Sequence, residues 1–295
     1  MSLQQSICYD FHLGLAQKCE VIYARTLRWP GLSGRCRWFI MKAFNNLKKY
    51  AVLLVILVCV ISSTAFAEKE SKKILVFAGA GMRLPLNEIG KNFEKKYGVK
   101  VLYDYEGSGR LGNKILVGQT PDLFIPGSEK WAEILKEKGH VNDYTPIAYH
   151  TPVIITPKGN SKVNSLDSFV NSRNRIILGD ARACTIGGVS AAIFKKAGIE
   201  ESRMNVKARG VTVKQLVLWI EGNNGDGSIV WKTDALQSGN VTIVEIPEQY
   251  KSISSIPICQ MVIMKHKEWT LQYIHYVSSD EGKGIFRKHG FEVVR

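Results

Sequence analysis

The segment Gly107-Ser108-Gly109-Arg110-Leu111-Gly112 has the residue types and spacing to do chemistry. It follows an apolar run and opens a helical period. The amides of a first helical turn have no partner within their own helix, and glycine leaves them unobstructed, so the segment is suited to cradle an anion with the Ser108 hydroxyl as one more donor. Two other readings fit the same letters. One is a plain tight turn. The other is a dinucleotide fingerprint, but that motif belongs after a first strand and wants an acidic residue about 20 positions on, at the end of the next strand. Here Asp122 comes after ten positions, at a strand start. Arg83, Arg110 and Arg182 each fall just after a strand end, where any one of them could face an anion, although a loop arginine is ordinarily solvated. His140, His150 and His275 lack metal-ligand spacing, and no HExxH, CxxC or GxSxG motif occurs. No metal ion, cofactor or nucleophile-base pair is therefore expected.

These residues need a scaffold. Ile74-Leu75-Val76-Phe77 reads as a strand, Gly79 and Gly81 as a turn, and Leu84 to Tyr97 as a helix with apolar period 3.6. A strand over 99–105, a helix over 111–117, a strand over 122–125 and a helix over 131–135 follow. The rhythm breaks at 144–159, an extended stretch carrying Pro146, Pro152 and Pro157, and resumes with strands at 175–178, 228–231 and 241–246 and helices at 189–197 and 213–220. A second extended stretch, 253–265, leads to terminal helices at 268–277 and 284–288. The pattern predicts an α/β protein of two lobes, each a mostly parallel sheet flanked by helices, joined by two extended hinge crossings. Lobe I takes 68–149 plus 256–295, and lobe II takes 150–255.

The 295 residues carry 40 basic against 26 acidic side chains, a net charge of +14, and are 45% hydrophobic, which excludes a disordered or collagen-like chain. Residues 1–67 hold eight basic and two acidic residues, so the remainder carries 32 against 24, or +8. Met41-Lys42 with Lys48 and Lys49, the apolar run Tyr50 to Ile61 and then Ser62-Ser63-Thr64-Ala65-Phe66-Ala67 read as a signal peptide over 41–67, cleaved before Glu68. An uncleaved membrane anchor is the alternative. Cys59 lacks the small residues that precede a lipidated cysteine. Residues 1–40 are then a non-native extension, with Met41 the true start. Export and interleaved charges argue against nucleic acid as a partner. Of six cysteines only Cys184 and Cys259 follow the signal segment, and a disulfide or two free thiols are equally open.

The chain resembles the periplasmic molybdate/tungstate-binding proteins of ABC importers over residues 72–295. Six segments in the family's order carry the resemblance: Val76-Phe77-Ala78-Gly79-Ala80-Gly81, Tyr105-Glu106-Gly107-Ser108-Gly109, Thr120-Pro121-Asp122-Leu123-Phe124-Ile125, Gly179-Asp180, Gly227 to Ala235, and Phe286 to Phe291. The resemblance implies a type II periplasmic-binding-protein fold whose lobes close on a tetrahedral oxyanion without covalent chemistry. By position, Ser108 matches a binding serine, while Ile186 and Val213 match donors of backbone N–H. Gly81 stands where the family has a serine ligand and Trp231 where it has a tyrosine; Cys184 is a further departure. Ligand residues are thus expected at Gly81, Ser108, Ile186, Val213 and Trp231, with Arg83, Gly109 and Arg110 as further candidates. The implied protein is a periplasmic, monomeric receptor, not an enzyme, that delivers molybdate or tungstate to a membrane permease. A periplasmic sensory or interaction protein built on the same clamshell is the alternative.

Overall fold

The computed structural model describes residues 72–294 and scattered positions between 33 and 50, helical from 34 on. The start at Met41 and the apolar run and cleavage site over 51–67 lie outside the described residues. The chain divides into two compact units, Met1–Glu70 and Ser71–Arg295, and the second carries the fold below. Among the described residues no helix is long and apolar enough to cross a membrane.

Strand β1 (Lys73–Gly79) runs through a short 3₁₀ turn, Ala80–Met82, into α1 (Arg83–Tyr97). The helix forms because Leu86, Ile89 and Phe93 place one apolar stripe on the sheet, and it stops where Gly98 takes a left-handed φ of 68°. Next come β2 (Lys100–Glu106), α2 (Ser108–Leu116), β3 (Leu123–Ile125), α3 (Glu129–Glu137), β4 (Val141–His150) and β5 (Pro152–Pro157). The middle of the chain holds β6 (Ile176–Gly179), α4 (Thr185–Lys196), β7 (Val206–Gly210), α5 (Val213–Glu221), β8 (Ser228–Trp231), α6 (Lys232–Ser238) and β9 (Val241–Glu245). Strand β10 (Ser254–Met261), α7 (Lys267–Ser278), α8 (Asp280–Lys288) and β11 (Glu292–Val293) close it.

Six strands form one sheet in the order β11-β4-β10-β3-β1-β2. Within it β1 lies parallel to β2 and β3, while β10 lies antiparallel to β3 and β4. The second lobe has an antiparallel sheet β8-β5-β9 and a parallel pair β6-β7, tied together by a bridge from Ile176 to Gly227. The sheets are therefore mixed rather than mostly parallel. The reason lies in the proline-marked stretches, which read as bare crossings but pair as β4, β5 and β10. Their prolines are tolerated at strand ends, as at Pro152 and Pro157, or facing each other at a register shift, as Pro146 and Pro257 do. Buried side chains from Val153 to Ile246 form one apolar cluster, and those before His150 and after Ser255 form two others. The chain passes from one core to the other at Thr151 and returns between Ile246 and Ser254.

Candidate functional site

The ends of β1, β2 and β4 meet the starts of α4 and α5 and the end of β8 around a small cleft. Its walls are the Gly79–Gly81 turn, Glu106 to Ser108, Gly127 and His150 from the first lobe, and Cys184 to Ile186, Val213 and Trp231 from the second. The volume open to the centre of a water-sized sphere is about 20 Å³, room for one or two waters or one small ion.

Gly81, Ser108, Ile186, Val213 and Trp231 all line this cavity, although they are spread over 151 positions of chain. Ser108 opens α2 and is buried; its Oγ accepts from the Gly127 amide at 2.9 Å, which leaves the hydroxyl proton free to be donated inward. Ile186 sits in the first turn of α4, behind Cys184 at the N-cap. Val213 begins α5, whose start is locked by reciprocal bonds: Thr212 Oγ1 accepts from the Gln215 amide (3.3 Å) and Gln215 Oε1 accepts from the Val211 amide (2.9 Å). Three helix starts converge here, each bringing the positive end of a helix dipole.

Gly109, Arg83 and Arg110 stand elsewhere. The amides of Gly109 and Arg110 donate to the Ala183 carbonyl at 3.0 and 3.2 Å, so much of the first turn of α2 grips the second lobe instead of facing the cavity. Glycine is required for that grip. A Cβ at Gly107 would stand 2.3 Å from the carbonyl oxygens of both Ala183 and Val211, and one at Gly109 would stand 1.9 Å from that of Arg182. The Arg110 side chain is half exposed and reaches back to Glu106 at 3.7 Å. Arg83 lies over the Tyr105 ring, 4.6 Å from its centroid, and lines a separate groove with Leu84 and Lys214. Arg182 is exposed beside Asp180. Among the described residues no arginine lines the cavity.

Three lining side chains escaped the sequence reading. His150, 1% exposed at the end of β4, stacks on Trp231 with ring centroids 4.5 Å apart and planes 8° apart, and its Nδ1 has no hydrogen-bond partner. Burial, with Lys214 adding to it, holds its pKa down to about 3, so the ring is neutral. Thr185 Oγ1 is also buried without a partner. Glu106 lines the wall too, with Oε1 held by Lys114 at 2.8 Å. No local motif marks these residues, because β4 meets β8 only through the fold.

The glycine at 81 has a steric cause. A Cβ there would stand 2.9 Å from Asp234 Oδ2 and 3.4 Å from Val213 Cγ1. Asp234 is fully buried, its pKa raised by burial against the pull of Lys214, whose Nζ lies 2.8 Å from Oδ1. Cys184 and Cys259 are free and buried, which decides between disulfide and thiols. Burial pushes the Cys184 thiol up to about 11, so it is neutral and unreactive at pH 7.

The pattern that defines the bacterial extracellular solute-binding proteins matches residues 74–292. The chain belongs to that family. A protein of Bacillus subtilis named "Putative ABC transporter substrate-binding lipoprotein YvgL" is 29% identical over 83% of this chain and 98% of its own length. The molybdate-binding protein ModA of Escherichia coli is 26% identical over 76% of this chain and 90% of its own. Among solved structures, the periplasmic molybdate-binding protein of Azotobacter vinelandii superposes with a TM-score of 0.66 at 14% identity, covering 75% of this chain and all of that one. A sulfate-binding protein of Mycobacterium tuberculosis gives 0.67 at 16% identity, covering 76% and 87%. These likenesses establish the two-lobed type II periplasmic-binding-protein fold. The family is one of binders, and this solute-binding protein is not an enzyme.

Proposed function

We propose that this solute-binding protein captures a small tetrahedral oxyanion, molybdate or tungstate first among them, and hands it to an ABC permease in the membrane. The observation that carries the reading is the convergence of three helix starts and the Ser108 hydroxyl on a cavity with room for one small ion. Hydrogen bonds to a charged group contribute about 1.5–3 kcal/mol each, and micromolar binding needs about 8 kcal/mol net. Five or six donors suffice for that after dehydration of the ion. On this reading the protein works as a monomer in the periplasm, reached through the signal peptide at 41–67. Its lobes divide as 68–149 with 256–295 against 150–255, in line with the division of the buried cores.

A thermal-shift panel of molybdate, tungstate, sulfate, phosphate and chromate tests the reading. At about 100 times its dissociation constant the true ligand stabilises by about 2.7 kcal/mol, a rise of roughly 5–10 °C for a body of this size. Absence of any shift across the panel ends the proposal. A second measurement probes the ligand set. Gly81→Ser restores the family's hydroxyl but drives its Cβ into Asp234, so we expect anion affinity to fall about tenfold rather than rise. Gly81→Ser with Asp234→Ala should recover most of that loss, as two contacting sites couple. Calorimetric titration of both variants checks this, and a tighter-binding single variant would contradict it.

A further inference from the structure

His150 is the one histidine in the cavity wall, and the fold leaves its Nδ1 without a hydrogen bond. The ring is pressed between Trp231 and Phe291, with centroids 4.5 and 5.4 Å away, and Nδ1 is buried and unpaired. Buried polar atoms in folded proteins are almost always paired, and a neutral imidazole offers one N–H donor and one acceptor. Packing explains the ring, but not a free nitrogen beside a cavity into which three helix starts already point.

Lys214 on α5 bears on the ring and pairs with Asp234 of α6 at 2.8 Å. Glu106, from the end of β2, gives Oε1 to Lys114 at 2.8 Å, while its Oε2 is buried without a hydrogen bond, 3.7 Å from Arg110 Nε. Cys184, at the N-cap of α4, is a neutral thiol. On the β11 side, Glu292 and Arg287 line a groove with Tyr149, whose side chain alternates to the opposite face of β4. The two carboxylates nearest the cavity already have lysine partners, so a dianion entering it is the new negative charge that the ring meets.

We propose that His150 is a ligand of the captured anion, donating a ring N–H to one anion oxygen and taking up a proton as the anion enters, so that capture tightens as pH falls. The inference rests on the oxyanion reading above. Its sign follows from linkage. In the empty cavity burial holds the ring neutral down to about pH 3. A dianion in contact favours the imidazolium and raises that value. Between the two values the complex holds more protons than its components, and affinity rises as pH falls through the value of the complex.

The test is calorimetric titration with molybdate at pH 8, 7 and 6, in two buffers of different ionisation enthalpy to count protons, on wild type, His150→Phe and His150→Gln. His150→Phe keeps the stack on Trp231 and loses the donor; affinity should fall about tenfold or more. His150→Gln keeps a donor that cannot titrate, so it should bind within a few-fold of wild type at pH 8, with no proton uptake. Wild type should take up protons and bind at least several-fold tighter at pH 6 than at pH 8, a slope absent from His150→Gln. A folded His150→Phe with wild-type affinity overturns the ligand role, and wild-type binding without proton uptake at all three pH values overturns the coupling. If wild type binds no anion of the panel, the oxyanion reading falls and takes this inference with it. Binding by wild type with no difference in the variants removes only the histidine.

Discussion

Gly107→Val will leave both lobes folded and abolish anion capture. The expectation comes from the seam between the lobes. A Cβ at position 107 meets two backbone carbonyl oxygens, of Ala183 and Val211, at 2.3 Å each. Neither oxygen belongs to a flexible side chain, and neither can move freely: Ala183 lies in the turn that leads into α4, and Val211 in the turn locked to Gln215 at the start of α5. The available relief is to part the lobes. Parting breaks the bonds from Gly109 and Arg110 to Ala183 and pulls Ser108 away from the helix starts at Thr185 and Val213. The loss of two donors to a charged group alone weakens binding roughly 100-fold, and the open cleft also returns the anion to water. Calorimetry should detect no binding at concentrations that saturate wild type. Small-angle scattering should show a radius of gyration that no longer contracts when anion is added. The melting temperature of the unliganded variant should stay within a few degrees of wild type, because the clash lies between the lobes and not inside either core. Near-wild-type affinity would show that the seam is not part of the bound state.

How far the sequence could be read follows from how local each signal is. The strand-turn-helix rhythm through β1, α1, β2 and α2 was legible because each element buries a face with its own period. The helix read as 111–117 starts at Ser108, and the one read as 189–197 starts at Thr185. Both were cut short by glycines that look like breakers but are tight contacts. At Gly187 a Cβ would lie 2.6 Å from Gly179 O, so the first turn of α4 can press on the end of β6 only without a side chain. Strand β7 was missed because it alternates half-buried and exposed residues, with Lys207 and Arg209 outward, and pairs only with β6. Of the five cavity-lining positions expected from the family resemblance, Gly81, Ser108 and Trp231 lie within the segments that carry it, while Ile186 and Val213 were matched by position alone. His150 was not legible, because its partner Trp231 is 81 positions away and neither residue predicts the other. The arginines misled for a related reason: a position after a strand end says that a residue is near the cleft, while Tyr105, Glu106 and Asp180 decide where its guanidinium goes.

The largest stability effect expected from a single substitution is at Asp122, which the fingerprint reading considered as a ribose-binding acid and found too early in the chain. Its carboxylate is buried, at 3% exposure, and accepts three backbone N–H bonds: Oδ2 from Leu75 (2.8 Å), Oδ1 from Lys265 (2.9 Å) and His266 (3.3 Å). The Asp122 amide also donates to the Leu75 carbonyl at 2.8 Å, so the residue extends the β1-β3 ladder one step beyond Leu123. Its other oxygen holds the two amides that lead into α7, where negative charge also suits the helix dipole. One carboxylate thus ties the first strand, the third strand and the return from the second lobe. Asp122→Ala leaves all three amides unpaired at a buried edge and should cost about 3–5 kcal/mol, lowering the melting temperature by roughly 10 °C or more. Asp122→Asn keeps one acceptor oxygen and can serve either Leu75 or the α7 amides, but not both, so about half the loss is expected. Urea denaturation of the three proteins gives the comparison, and an alanine variant within 1 kcal/mol of wild type would refute the strut. Anion affinity of the folded variants should be unchanged, because Asp122 does not line the cavity. The acid sits at the start of its strand, and not at the end, because it joins backbone to backbone; the ends of the strands are left for the ligand.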